Sequence, residues 1–196
     1  MTKQDTPAAD PASQLPFSRP FHIDRLRGDG IAEIEVEANA TERAALARVD
    51  GLVAVDRLVG RFRITHAGPN DVSVTGEVEA AIVQTCSVTL EPFEASVREA
   101  VDLRFAPPAQ VAAAEAAAAR AAEDGFPAFD EAPDPPDPIV DGQIDLGAIA
   151  AEFLALGLDP YPRKPGATFD STSLPSERQA VASPFAALQR LKHGKT

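Results

Sequence analysis

The sequence predicts an α+β fold, an antiparallel β-sheet of about five strands with a few packing helices. Apolar and polar residues alternate over residues 58–65, 72–82 and 97–105, which is the period of half-buried strands. A turn at Gly68-Pro69-Asn70-Asp71 separates the first two strands, so three long strands in succession favour a meander. At 196 residues the chain has room for one core.

One face of this sheet is expected to be buried and the other to face water. The polar positions of the meander, which would face water, are occupied by Arg61, Arg63, Glu77 and Glu79. Before the meander, alternation predicts two more strands, over residues 19–26 and 31–36.

Several segments have the period or the caps of helices. Asn39 and Thr41 are N-cap candidates for a short helix that ends at Val49. An alanine run over residues 112–122 predicts a solvated helix, since it has almost no bulky face. Asp145 caps a more apolar helix, which is expected to cover the sheet.

Composition divides the chain into three parts. Residues 1–16 are a polar, proline-containing leader that we expect to be disordered. Residues 17–169 form a single α+β domain, interrupted by an acidic, proline-rich loop at about 121–142. Residues 170–196 form a basic tail with a short amphipathic helix over residues 184–192.

Charge and cysteine content exclude several classes of function. The formal net charge of −12 repels phosphate at long range, so a broad basic nucleic-acid-binding face is disfavoured and basic protein partners are favoured. The single cysteine, Cys86, cannot form an internal disulfide or a multi-thiolate metal site. With no apolar signal segment or membrane span in the sequence, we expect a cytoplasmic protein without membrane contact.

Cys86 is the one residue that suggests catalytic chemistry. A thiol nucleophile needs a base, yet His22, His66 and His193 are all distant in sequence and show no metal-binding spacing. The favoured interpretation is a small buried residue at a strand end. We therefore predict no catalytic residues.

Two segments are candidate binding elements. The connector segment, residues 159–166, carries Tyr161, Arg163 and Lys164 among three prolines. It is either a recognition strip or a rigid connector that packs Tyr161 on the preceding helix. In the tail, the candidate binding residues are Phe185, Leu188, Arg190, Leu191 and Lys192; they would engage a partner or dock on the chain's own sheet.

Three motifs occur in order along the chain: QTCSVTLEPF at residues 84–93, GQIDL at 142–146 and PFAALQRLK at 184–192. In this order they resemble the YceD-like family, the large ribosomal RNA subunit accumulation proteins. The motif residues that carry the resemblance are Cys86, Leu90, Pro92, Asp145 and Leu146.

The resemblance also bears on metal binding. Thr89 stands where the family has a second cysteine, and residues 159–166 lack the downstream Cys or His residues that look able to complete a zinc site in other members. We therefore expect no metal and no cofactor. Thr89 and Leu90 would hold the turn instead, by hydrogen bonding and packing.

The resemblance implies a non-enzymatic role in the synthesis, processing or accumulation of large-subunit ribosomal RNA. The implied partners are the large-subunit precursor, its ribosomal proteins or precursor ribosomal RNA, with no small-molecule substrate. Two alternatives stay open: a dedicated partner of a single ribosomal protein unrelated to RNA, and a small thiol-dependent enzyme that uses Cys86.

Overall fold

The computed structural model describes residues 15–26, 30–68, 71–123 and 135–168. The chain up to Lys164 forms one compact unit; of the second unit, residues 165–196, only 165–168 are described. Most of the predicted leader, part of the predicted acidic loop and the predicted C-terminal helix therefore lie outside the described residues.

Strands and helices are interspersed along the described chain. They are β1 Pro20–His22, β2 Ile31–Glu37, α1 Ala40–Val49, β3 Ala54–His66, β4 Val72–Thr85, β5 Pro92–Ala106, α2 Pro108–Glu123, β6 Asp137–Pro138, β7 Gln143–Asp145 and α3 Leu146–Leu156. Within the described part of the chain, no helix is long and apolar enough to cross a membrane.

The main sheet has the strand order β2-β3-β4-β5-β6. Its first four strands are antiparallel, and β6 pairs in parallel with the end of β5. Strands β1 and β7 form a separate antiparallel pair. The α+β class and the meander of long central strands are thus confirmed.

Two boundaries differ from those predicted. The strand expected over residues 19–26 is only β1, because the chain turns into a single 3-10 turn at Ile23–Arg25 and Ile23 N–H donates to Gly142 O. The acidic loop predicted at about 121–142 also has regular structure at both of its ends. The alanine-rich helix continues through Glu123, and after β6 the Ile139 N–H donates to Ala106 O.

The core lies between one face of the sheet and two helices. Strand residues such as Ile64, Val74 and Val78 are fully buried there, together with Leu46 of α1 and Leu154 of α3. Each such side chain stabilises the fold by roughly 1.5–3 kcal/mol. The helix predicted to follow Asp145 therefore covers the sheet, as expected.

The opposite face of the sheet carries rows of opposite charge on neighbouring strands. Arg61 on β3 contacts Glu35 on β2 and Glu79 on β4, both at 2.8 Å. Arg98 on β5 is 2.6 Å from Glu77. Exposed pairs of this kind contribute at most about 1 kcal/mol each, but their aliphatic stems also cover apolar surface.

Val59 shows that covering effect. It lies on the charged face, outside the helix-covered core cluster, and yet is 0% exposed. Its partners across the ladder are Glu37 and Glu79. We infer that the ion-paired side chains around it keep water away from the valine.

The helices that cover the core are capped by side chains. Asn39 caps α1 and forms a capping box with Glu42. Glu42 also binds the guanidinium of Arg19 at 2.7 and 2.9 Å. The hydrogen bond from Arg19 holds the pKa of Glu42 below its ordinary value.

Asp145 caps α3 and at the same time fixes the N-terminal segment, residues 18–19. Its carboxylate accepts from the N–H groups of Gly147 and Ala148 at 2.9 and 3.1 Å, and from Arg19 N–H at 2.7 Å and Ser18 Oγ at 2.5 Å. Gly147 permits this approach, because a Cβ there would lie 2.8 Å from the backbone of Ser18 and Arg19. Helix α3 therefore begins against residues 18–19.

Burial acts to raise the pKa of the Asp145 carboxyl group. Hydrogen bonds from Ser18, Arg19 and the first N–H groups of α3 outweigh that effect, so the pKa lies below its ordinary value. The ionised form is consequently the one that stabilises the fold.

Replacing Asp145 with alanine is expected to lower the free energy of unfolding by about 2–3 kcal/mol, because α3 loses its cap and Arg19 N–H loses its acceptor. Denaturant titration at neutral pH measures the loss. Asp159→Ala is the matched control, since among the described residues Asp159 accepts a local N–H, from Tyr161. An equal loss in both variants would contradict this role for Asp145.

The same carboxylate makes stability sensitive to acid. Its folded-state pKa is below the unfolded value of about 3.9, so its contribution is fully present above that value and is lost as the pH falls through the folded-state pKa. Below about pH 4 the wild type should therefore lose stability more steeply than Asp145→Asn, which accepts hydrogen bonds but does not titrate.

Candidate functional site

The structure brings together two sets of predicted site residues that are far apart in sequence. Cys86, Leu90 and Pro92 lie in or beside the turn between β4 and β5, which we name the Cys86 turn (residues 86–91). Tyr161 and Lys164 belong to the connector segment, which runs along this turn. The candidate site is the Cys86 turn together with residues 159–164 of the connector segment.

Backbone hydrogen bonds close the Cys86 turn. Cys86 N–H donates to Glu91 O and Leu90 N–H donates to Cys86 O, both at 2.9 Å. This geometry places Leu90 in the left-handed region, with a φ of 60°. An L-residue pays roughly 1–2 kcal/mol there, and glycine is the usual occupant. Pro92 follows as the first residue of β5, a position that tolerates proline.

The connector segment is held to the turn at several points. Ser87 N–H and Oγ both donate to Pro162 O, at 2.8 and 2.9 Å. Lys164 N–H donates to Cys86 Sγ at 3.3 Å, and Lys164 Nζ lies 2.8 Å from Glu91 Oε2. The hydrogen bond to Lys164 lowers the pKa of Glu91. Residues 162–164 are therefore fixed against the turn.

Cys86 is fully buried directly after β4, which confirms the favoured interpretation of a small strand-end residue. Its sulfur does more than pack, however. Sγ accepts from the N–H groups of Val88, Thr89 and Lys164 at 3.3–3.5 Å.

These donors stabilise the thiolate. The Thr89 side chain has the largest effect, followed by the N–H groups of Lys164, Thr89 and Val88; together they outweigh burial and lower the pKa of Cys86 to about 6. An anionic sulfur at neutral pH binds the connector segment more firmly than a neutral thiol would.

The site offers little for covalent or metal chemistry. Cys86 is 0% exposed, so a substrate has no access to its sulfur in this conformation. Across the described ranges, no three His, Cys, Asp or Glu side chains lie close enough together to hold a metal ion. What the arrangement does provide is a pair of segments joined by hydrogen bonds, with Leu90 and Tyr161 exposed.

Two expectations about packing are wrong. Leu90 does not hold the turn by packing, because its side chain is 76% exposed and only its backbone takes part in the turn. Tyr161 does not pack on the preceding helix, because it too is 76% exposed. The part of the expectation that concerns Thr89 agrees with the structure, since its N–H donates to the sulfur.

The remaining predicted residues are divided among three places. Asp145 and Leu146 are at the start of α3, where they position the N-terminal segment and the core. Arg163 is exposed beside Lys164 in the connector segment. The tail residues Phe185, Leu188, Arg190, Leu191 and Lys192 lie outside the described residues, so their binding role stays a prediction.

Sequence reasoning missed Ser87 and Glu91, which anchor the connector segment. Their partners lie 75 and 73 residues away along the chain. A serine and a glutamate in a turn are ordinary, so no local signal identified them.

Comparison with known families agrees with the motifs. Residues 74–192 match the family described as large ribosomal RNA subunit accumulation protein YceD. This chain belongs to the YceD family. The matched region begins within β4 and includes the Cys86 turn and the connector segment, so the candidate site lies inside the YceD part of the chain. Comparison of the chain with curated proteins and with solved structures found no match.

Thr89→Val is expected to raise the pKa of Cys86, because it removes the hydroxyl that favours the thiolate most. The ultraviolet absorbance of the thiolate, followed against pH with Cys86→Ala as the blank, measures the shift.

The pKa of Cys86 in the folded state, about 6, is below its value in the unfolded state, about 8.5. The stability that the thiolate supplies should therefore grow as the pH rises between these values and be absent in Cys86→Ala.

The purified YceD-family protein is expected to contain no stoichiometric zinc, because its single cysteine cannot supply the thiolates of a closed tetrahedral site. Elemental analysis of protein purified without chelators measures the metal content. One zinc retained per chain would mean that residues beyond Cys86 complete a site.

Proposed function

We propose that this chain is a non-enzymatic, cytoplasmic protein that supports the accumulation of large-subunit ribosomal RNA by binding the large-subunit precursor. The observation that carries the proposal is the match of residues 74–192 to the YceD family. Because that match includes the Cys86 turn and the connector segment, these segments are the first candidates for the contact.

The geometry of the site supports binding rather than catalysis. A cysteine-dependent reaction would need an accessible thiol. The Cys86 sulfur is instead buried and accepts hydrogen bonds from three N–H groups. The side chains on the outside are instead Tyr161 and Arg163, which are types favoured at protein interfaces.

Charge supports a protein contact within the precursor. The net charge of −12 repels phosphate and attracts basic proteins, and ribosomal proteins of the precursor are partners of that kind. The basic tail is the part of the sequence best suited to an additional contact with phosphate or with an acidic surface.

Loss of the protein is expected to lower the ratio of large-subunit to small-subunit ribosomal RNA, because precursor that is not bound would be lost. Quantifying both RNAs in cells with and without the gene tests this. The wild type and Cys86→Ser should both restore the ratio, since the serine hydroxyl still offers an acceptor to the connector segment and the thiol has no catalytic role. Failure of Cys86→Ser alone, with normal folding and normal binding to the precursor, would favour the thiol-enzyme alternative.

Co-purification separates the two kinds of partner. If the protein contacts a ribosomal protein directly, that partner should remain bound after nuclease treatment, whereas an association bridged by RNA should disappear. An unchanged RNA ratio together with one retained ribosomal protein would instead indicate a dedicated partner unrelated to RNA accumulation.

A further inference from the structure

Strand β2 is the end strand of the main sheet, so one of its two sides carries no ladder among the described residues. Ala38 N–H, in register with the β2–β3 ladder, donates to Leu58 O at 3.1 Å. Backbone groups alternate in direction along an antiparallel strand. The even-numbered residues 32–36 therefore bond to β3, and the odd-numbered residues 31–37 direct their N–H and C=O groups away from the sheet.

Arg19 limits this open edge at one end. Its guanidinium donates to Glu37 O at 3.3 Å, which agrees with an outward direction for that carbonyl. Among the described residues, no other hydrogen bond uses the outward backbone groups of β2. The open edge of β2 therefore consists of the backbone of Ile31, Glu33 and Glu35.

The charged face of the sheet alternates in sign from strand to strand. Its charged residues are glutamates on β2 and β4 and arginines between them on β3. Arg61 thus has a carboxylate on each side, from Glu35 and Glu79, both at 2.8 Å. The glutamates of β2 have an arginine on one side only, among the described residues. A basic strand at the open edge would continue the alternation.

The existing ion pairs leave the β2 carboxylates able to accept more. Glu33 is 74% exposed, and its pair with Arg63 is long, at 3.6 Å. A carboxylate has about four acceptor positions, so a second cation binds without displacing the first. A partner lying across this face would have to separate the pairs, whereas a strand added at the edge leaves them in place.

The sides of β2 also define the pattern of such a strand. On the core side, Ala32 and Ile34 are only half-buried, so apolar residues beside them would complete their cover. On the charged side, a groove of about 400 Å³ is lined by Glu33 and Glu35 together with Arg61 and Arg63. It gives long basic side chains room beside the two carboxylates. The pattern is therefore basic and apolar in alternation.

Other occupants fit the open edge less well. In a second copy of this chain, β2 would place its own glutamates opposite Glu33 and Glu35, and like charges directly opposite destabilise a pair of strands. RNA carries phosphate, which these carboxylates repel. The far side of β5 pairs only at Phe105 and Ala106 within the described chain. Its outward row mixes both signs, so it does not select a basic strand.

We propose that the open edge of β2 binds an extended segment of a partner protein as a sixth strand of the five-stranded main sheet. The segment carries Lys or Arg at every second position, beside Glu33 and Glu35, and apolar residues between them. Strand β2 precedes residue 74, where the match to the YceD family begins. This surface is therefore additional to the Cys86 turn and does not rest on the proposed function.

A labelled synthetic peptide of alternating lysine and valine, as long as β2 (7 residues), is the probe. Fluorescence anisotropy should show that it binds the full chain, and more weakly as salt is added. The lysines lie opposite Glu33 and Glu35 and donate to them, so N-methylation of the lysine backbone should abolish binding. N-methylation of the valines, whose N–H groups point away from β2, should not. Equal binding by the two methylated peptides would overturn the proposal.

Amide exchange locates the contact on the strand. In the free chain, the N–H groups of Glu33 and Glu35 should exchange quickly with water, while those of Ala32 and Ile34 are protected by β3. Saturation with the peptide should slow exchange at Glu33 and Glu35. A bound peptide that leaves these two amides unprotected would show that it attaches elsewhere by charge, and the proposal would be wrong.

Glu33→Gln/Glu35→Gln removes the charges and keeps the backbone. Binding of the peptide should weaken by about 3- to 30-fold, because two cross-strand charge pairs are lost. The melting temperature should change little, since exposed ion pairs contribute little to stability. Glu94→Gln/Asp102→Asn is the matched control, as it removes two exposed carboxylates from β5. Its binding should stay unchanged, and an equal loss in both double variants would contradict a site on β2.

The same amides report the other occupants. Protection of Glu33 and Glu35 that grows with protein concentration, without peptide, would show a second copy at the edge and overturn the proposal. Protection by single-stranded RNA would overturn it too. Because these measurements use the purified chain, they are separate from the ribosomal RNA ratio. A peptide that fails to bind leaves the proposed function standing, and an unchanged RNA ratio leaves the β2 site standing.

Discussion

The Asp145 carboxylate is the interaction on which the arrangement of the helices depends. It ends β7, caps α3 and accepts hydrogen bonds from Ser18 and Arg19, so that the N-terminal segment and α3 are fixed by one group. The Arg19 guanidinium then extends this connection to Glu42, a member of the capping box of α1. A single chain of charge-assisted hydrogen bonds therefore joins the starts of both helices that cover the core. Because Asp145 and Glu42 accept these bonds as carboxylates, and the pKa of each lies below its ordinary value, acid weakens the attachment of the covering layer.

The two faces of the sheet beneath this layer are stabilised for different physical reasons. One face is buried under α1 and α3, where the gain comes from apolar area removed from water. The other face is occupied by ion pairs that bridge β2 through β5, and their stems bury Val59. Charges that already pair with one another would have to be separated before a partner could use them. The Cys86 turn lies at a strand end, outside both of these faces.

The sequence predicted the parts of this architecture that depend on local pattern. The alternation that includes Val74 and Val78 predicted a strand, and Asp145 predicted the start of helix α3. Each of these signals lies within a few residues of the sequence. Strand β6 has only two residues and no period, so it could not be recognised. The contact from Lys164 to Cys86 joins residues 78 positions apart. Leu90 was misjudged for a more general reason: an apolar side chain predicts burial, and a left-handed backbone is not visible in a leucine.

The Cys86 turn is joined to the connector segment through one sulfur atom. Cys86 Sγ accepts hydrogen bonds from N–H groups of both the turn and the connector segment. The sulfur thereby links the two segments, while Ser87 and the Glu91–Lys164 pair add further contacts between them. Leu90, at the tip, takes part in the turn through its backbone, and its side chain is exposed among the described residues. A site organised in this way holds its framework by hydrogen bonds centred on one buried sulfur, and the exposed side chains of Leu90 and Tyr161 are not part of that framework.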